Sequence, residues 1–189
     1  MIAGPSGVGK GTVVRRLLQL RPNLVLSVSA TTREPRHDEV DGRDYHFLSP
    51  HRFQELVDEG AFLEWAEIFG HRSGTLWGPV ADQLESGLDV VLEIDVQGAA
   101  TVRERVPDSL LIFLAPPSLD VLGERLRTRR TETETSIARR LAAAEQEMAA
   151  SEWFDRIVVN DDVDRAAREV AAIIDGESNR SGHRGAERS

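Results

Sequence analysis

Three glycines, at positions 4, 7 and 9, stand directly in front of Lys10, and an amphipathic run with Val13, Val14, Leu17 and Leu18 on its apolar side begins at once. Glycine lets a loop turn tightly with its backbone N–H groups directed inward, and a helix starting there adds the positive end of its dipole. Such a cradle suits a polyphosphate, and Lys10 supplies a movable cation for the outer phosphates. The stretch Gly4-Pro5-Ser6-Gly7-Val8-Gly9-Lys10-Gly11-Thr12 therefore reads as a G-x4-G-K phosphate loop. It departs from the strict pattern at Gly11, where a Ser or Thr hydroxyl would reach magnesium. Thr12, one residue on, is left to approach the ion through a water. The plain alternative is a glycine-rich surface turn, and the immediate helix onset argues against it.

Arginines form the second group. Arg33 and Arg36 flank Pro35, where no helical pairing can occupy them, and planar guanidinium forks there suit phosphate oxygens. Arg125, Arg129 and Arg140 bracket a very polar stretch, 127–134. Arg15, Arg16, Arg103 and Arg105 read as ordinary solvated helix charge. Glu64 sits beside Trp65 among apolar residues; it either faces solvent from a strand or is buried and needs partners. The five histidines show no metal-ligand spacing, and Asp161-Asp162 read as a helix cap.

The elements that must hold these groups alternate. The first helix ends near Pro22, and residues 24–28 form a buried strand. A polar segment over 29–44 leads to a short extended piece at 44–47. Ser49-Pro50 opens a helix closed by Gly60. Residues 62–68 have strand character, with the piece at Tyr45 as the expected partner; 70–78 reads as loop and 79–86 as a short helix. The apolar run 90–95 is a central parallel strand with Glu93 and Asp95 at its C-terminal end, where ligands of α/β sheets sit. A helix at 99–105, a strand at 110–114, helices at 119–127 and 136–152, a strand at 157–159 and a helix at 162–174 complete the pattern. From Gly176 the chain turns polar and rich in Arg, Ser and Gly, and a disordered tail over 176–189 is expected. The fold class is α/β with a mainly parallel sheet, interrupted by a small mixed insert over 29–87.

Composition bounds the rest. A chain of 189 residues fits one well-buried domain, and its net charge of −9 argues against coating nucleic acid. No cysteine is present, which excludes thiolate and disulfide chemistry, and no apolar run approaches a membrane span. A cytoplasmic protein with no membrane partner is the expectation. Only Met1, Ile2 and Ala3 precede the loop, too few for a full strand, so a start upstream of Met1 is expected.

Several stretches together resemble the guanylate kinases: the loop, Ser27-Val28-Ser29-Ala30-Thr31-Thr32-Arg33-Glu34-Pro35-Arg36, Glu39-Val40-Asp41-Gly42-Arg43-Asp44-Tyr45-His46-Phe47, Phe62-Leu63-Glu64-Trp65-Ala66-Glu67, Ile94-Asp95-Val96-Gln97-Gly98-Ala99, Ala115-Pro116-Pro117-Ser118, Thr131-Glu132-Thr133-Glu134 and Val159-Asn160-Asp161-Asp162. The resemblance runs in unbroken order from Ile2 to about Ile174. It implies a P-loop NTPase-type core (1–28, 88–126 and 153–175), a GMP-binding insert (29–87), a helical lid (about 127–152) and a tail over 176–189. It implies phosphorylation of GMP by ATP with Mg²⁺. Gly4 to Thr12 would hold the ATP phosphates, and Asn160 would lie near the ATP nucleoside. Ser29, Glu64 and Thr75 would read guanine, Arg33, Arg36 and Tyr45 would hold the GMP phosphate, and Arg125, Arg129 and Arg140 would close over the transferring group. Glu93 and Asp95 would divide between GMP and the metal's water shell. Ser73 departs from the family, where many members place a tyrosine on the GMP phosphate.

Two other readings compete. A non-catalytic phosphopeptide-binding relative would have a degenerate loop and lid, whereas Lys10 and three lid arginines are present here. A P-loop kinase for another phosphorylated acceptor, such as a sugar phosphate, would give Glu64 no paired N–H edge to accept.

Overall fold

A computed structural model describes residues 1–68, 70–128 and 134–186. It resolves into two compact units, Met1–Ala3 with Asn23–Leu111 and Gly4–Pro22 with Ile112–Ser189. The pattern is mixed α/β, with parallel strand pairs and, among the described residues, seven α-helices.

In the first unit, β1 (Ile2–Ala3) is buried and makes a parallel bridge from Ile2 to Glu93. β2 (Leu24–Leu26) pairs in parallel with β7 (Asp89–Val91). A four-stranded sheet runs in the order β4 (His46–Phe47), β3 (Ala30–Thr31), β6 (His71–Leu76), β5 (Phe62–Ile68). α2 (Pro50–Asp58) has Pro50 in its first turn and Ser49 as its cap, accepting from the Arg52 N–H at 3.1 Å, as its sequence indicates. Phe53 stacks on Phe62 at 4.4 Å, and both pack with buried Ala30 under the sheet. α3 (Trp77–Glu85) and α4 (Val96–Arg105) complete the unit, with α4 lying against β5.

Two expectations are corrected here. The 70–78 stretch is not a loop: six of its residues form β6. The partner of β5 is β6, antiparallel, and not the piece near Tyr45, which pairs in parallel with β3. Glycines at 70, 74 and 78 mask the strand in the sequence. Gly74 lies opposite Trp65, and a Cβ there would come within 2.6 Å of both the Trp65 Cβ and the Glu64 carbonyl oxygen, so close backbone approach requires glycine.

In the second unit, α1 (Lys10–Leu20) buries Val13, Val14 and Leu17. β8 (Ile112–Ala115) is buried along its whole length and pairs in parallel with β9 (Arg156–Val159). α5 (Leu119–Thr128) starts with the Ser118 hydroxyl accepting from the Val121 N–H at 3.2 Å. α6 (Glu134–Ala149) packs on α5 and runs into a 3₁₀ turn at Ala150–Trp153. α7 (Val163–Ala186) packs on α1, with Asp162 capping it through the Arg165 N–H at 2.8 Å. This helix passes Ile174 and Gly176, where the composition indicates its end. Gly176 by itself costs only about 1 kcal/mol, too little to stop a helix whose earlier turns already pack on α1.

Candidate active site

The phosphate-loop geometry lies within the second unit. Gly9 caps α1 in the left-handed region, φ 99°, and a Cβ there would lie 2.7 Å from the Asn160 side-chain nitrogen. Any larger residue would be strained and would also collide, which is why glycine directly precedes the lysine. Lys10 folds back over the loop, its Nζ donating to the carbonyls of Gly4 at 2.6 Å and Pro5 at 3.3 Å. Gly11 and Thr12 follow in the first turn of α1, Thr12 exposed.

Three side chains from the C-terminal half hold this loop. Asn160, 2% exposed, donates from Nδ2 to the Val8 carbonyl at 2.7 Å. Arg125 donates to the Val8 carbonyl at 3.1 Å and to the Asn160 carbonyl at 2.9 Å. Arg140, on α6, reaches the Ser6 hydroxyl at 2.9 Å. A cavity of about 560 Å³ opens beside them, lined by Gly7, Gly9, Thr12, Arg125 and Asn160 among others. Asn160 Oδ1 is buried without a hydrogen-bond partner among the described residues. Arg129 lies outside the described residues.

The first unit assembles a different chemistry. Glu64 and Thr75 face each other across the β5–β6 pair, and the Thr75 hydroxyl donates to Glu64 Oε1 at 2.7 Å. The burial that the sequence leaves open is settled, since Glu64 is 5% exposed and Thr75 1%. Burial pushes the Glu64 pKa up to about 7; the Thr75 hydrogen bond pulls it down and the charge of Asp95 adds to the rise. Asp95 also caps α4, accepting the Gly98 N–H at 2.7 Å, a role beyond the ligand contact expected of it. Ser29 precedes β3, its carbonyl accepting from the His46 N–H at 2.9 Å.

Arg33 and Arg36 meet through Glu39, whose part is not evident from its own place in the sequence. Both terminal guanidinium nitrogens of Arg33, Nη1 and Nη2, donate to Glu39, at 2.9 Å each, and the Arg36 backbone N–H donates to the same carboxylate at 2.7 Å. Burial works against the Glu39 charge, but these hydrogen bonds outweigh it and hold the carboxyl below its usual range. The same pairing raises the Arg33 pKa. The signal available in sequence was an acid three residues beyond Arg36 in a loop too short to separate them. Tyr45 lies under the Arg33 guanidinium, 5.3 Å to the ring centroid, and burial, with the Glu93 charge second, raises its phenol pKa. Ser73 donates to the Thr31 hydroxyl at 3.0 Å, and Thr31 in turn accepts the Arg33 N–H at 3.2 Å.

Arg105 corrects another expectation. It is not merely solvated charge, because its guanidinium donates to the carbonyls of Phe62 at 2.7 Å and Leu63 at 2.9 Å, tying α4 to the start of β5.

A profile of the guanylate kinase family matches residues 1–177. The chain belongs to the guanylate kinase family. It is 54% identical over 178 residues to a guanylate kinase of Mycolicibacterium paratuberculosis, covering 93% of this chain and 80% of the relative. It is 52% identical to a guanylate kinase of Mycobacterium leprae, with 93% and 85% covered. A crystal structure of a guanylate kinase from Anaplasma phagocytophilum superposes with a TM-score of 0.78 at 32% identity, covering 94% of this chain and 85% of that one. As a member of this family the chain is a nucleoside monophosphate kinase with the P-loop NTPase fold, and ATP and GMP are the substrates that membership supports. Among the described residues no helix is long and apolar enough to cross a membrane.

The raised Glu64 pKa carries an expectation for this guanylate kinase family member. Guanine N1–H and N2–H are donors, so if Glu64 is the group that accepts them, the base would bind the ionised carboxylate and release a proton wherever Glu64 is protonated in the free protein. With a free-protein pKa of about 7, the GMP KM should rise about tenfold from pH 8 to pH 6. Ionisation of the GMP phosphate, with a pKa near ~6, contributes to the same trend. A Glu64→Gln profile isolates the part due to the carboxylate. An identical profile in parent and variant would exclude Glu64 as its source.

Proposed function

We propose that the chain transfers the γ-phosphoryl group of ATP, with Mg²⁺, directly to the phosphate of GMP by in-line displacement. A GMP phosphate oxygen bonds to the γ-phosphorus as the bond to the β–γ bridging oxygen breaks; that electron pair leaves on ADP, and GDP forms. No general base is required, because the acceptor monoester is largely dianionic at neutral pH, with a second pKa near ~6. The observation that carries the reading is the buried Glu64–Thr75 pair, a carboxylate at 5% exposure whose chemistry matches the paired donors of guanine.

The roles follow the two groups of residues. Residues 4–12 cradle the ATP phosphates, Lys10 exchanges its loop carbonyls for the outer phosphates, and Asn160 offers its unmatched Oδ1 toward the nucleoside. Ser29, Glu64 and Thr75 read guanine, with Asp95 beside them. Arg33, Arg36 and Tyr45 take the GMP phosphate, and Glu39 holds the two arginines together until it arrives. Arg125 and Arg140, with Arg129, neutralise the transferring group. Residues 29–87 act as the acceptor module and about 127–152 as the lid.

The donor set around the loop fits a magnesium ion carried by the nucleotide. Gly11 has no hydroxyl and Thr12 is the nearest one in sequence, so phosphate oxygens and waters, with Thr12 beyond them, would hold it. When bound it neutralises phosphate charge. Calorimetry with Mg²⁺ alone should therefore show no micromolar affinity, whereas Mg²⁺ with ATP should bind; tight binding to the nucleotide-free protein would contradict this. Incubation with ATP and GMP should yield ADP and GDP in equal amounts and stop on chelation. ADP formed without GDP would overturn the reading.

A further inference from the structure

We propose that Gly98 is a specificity-determining position: its missing side chain is the seat in which the Glu64 carboxylate stands, and α4 thereby sets how that carboxylate meets the acceptor base. This rests on the guanine-reading role of Glu64 proposed above.

The geometry is direct. A Cβ on Gly98 would lie 2.5 Å from Glu64 Oε2 and 3.1 Å from its carboxyl carbon. Contacts under about 3 Å do not occur, so one of the two groups must give way. Gly98 sits in the first turn of a regular helix, after the Asp95 cap, and its N–H is already taken by Asp95. Its φ is not in the left-handed region, so the backbone does not demand glycine. Helix propensity favours alanine at such a position, which leaves space as the reason for glycine. Glu64 has little room to retreat, being 5% exposed and tied through Oε1 to Thr75.

The rest of α4 supports the same placement. Gly98, Val102 and Arg105 are spaced four and three residues apart and share one face. Gly98 and Val102 are buried, and Arg105 binds the carbonyls of Phe62 and Leu63, the two residues before Glu64. The helix thus fixes the β5 backbone at one end and receives the β5 carboxylate at the other. Gly98 is a positioning residue, acting through Glu64.

Four proteins test this: the parent, Gly98→Ala, Glu64→Ala, and the double variant, each assayed with ATP against GMP and IMP. Gly98→Ala should raise the GMP KM tenfold or more, reduce the GMP:IMP preference, flatten the pH dependence of the GMP KM between 6 and 8, and leave the ATP KM within twofold. In the Glu64→Ala background there is no carboxylate to displace, so adding Gly98→Ala should change the GMP KM by less than twofold. Losses that multiply in the double variant would overturn the proposal, as would a GMP KM within twofold of the parent in Gly98→Ala. If Gly98→Ala fails to fold, the double variant should recover a melting temperature at or above that of Glu64→Ala; failure of both would equally overturn it. Should Glu64→Ala alone leave GMP kinetics unchanged, the guanine-reading role itself fails, an outcome separable from the others.

Discussion

Glu64→Gln is expected to lower kcat/KM for GMP by roughly 10²-fold or more, while the KM for ATP stays within about twofold. In the proposed site the carboxylate accepts two adjacent guanine donors; glutamine would keep the shape but offer one acceptor and turn a donor toward the base. Adenine presents a bare N1 lone pair at the same place, so the ionised site repels it and leaves a buried charge unmatched. Sites built in this way reject the wrong analogue by roughly 10⁴-fold, and the glutamine variant should lose most of that ratio. The fold should survive the change. Burial raises the Glu64 pKa in the folded protein to about 7 from the ordinary 4.5 of a glutamate, so its ionisation opposes folding progressively from pH 4.5 to 7 and costs about 3 kcal/mol above that range. Glutamine removes that cost at pH 8, and the variant should melt no lower than the parent there. A variant that melts normally yet keeps the parent's GMP:AMP ratio would remove Glu64 from base recognition.

The second large effect belongs to Lys10. Lys10→Ala should reduce kcat by roughly 10²- to 10³-fold, the loss typical of removing one group that stabilises developing charge. Its ammonium donates to the Gly4 and Pro5 carbonyls, so it already stands at the loop. ATP affinity should fall less than turnover, because backbone N–H groups and the α1 N-terminus still hold the phosphates. Equal losses in affinity and kcat/KM with unchanged kcat would show that Lys10 only binds.

Much of this was legible in the sequence because local rules and site chemistry coincide. Gly4, Gly7, Gly9 and Lys10 announce their loop by spacing, and Ser49-Pro50, Ser118 and Asp162 announce their helices by capping chemistry. Glu64 was visible only as an acid in apolar company; its burial depends on β6, a strand hidden by Gly74, which the close approach of Trp65 requires, and by the flanking Gly70 and Gly78. Glu39 and Arg105 were hidden for a related reason. Their partners are a guanidinium brought round by a loop and two carbonyls some forty residues away, and neither arrangement follows from a periodicity. Asp95 caps α4 and its charge acts on Glu64, and neither follows from its place at the end of an apolar strand.

The central claim is that this protein selects the guanine base of GMP and passes one phosphoryl group from ATP to the GMP phosphate. Its most direct measurement is a competition in one vessel, with ATP, Mg²⁺ and equal concentrations of GMP, IMP, AMP and CMP, followed by chromatographic quantification of every diphosphate formed. The account predicts that GDP forms first and nearly alone, that IDP follows slowly because IMP keeps N1–H but lacks the N2 amine, and that only ATP consumption accounts for the ADP. AMP or CMP phosphorylated at a rate comparable to GMP would contradict it.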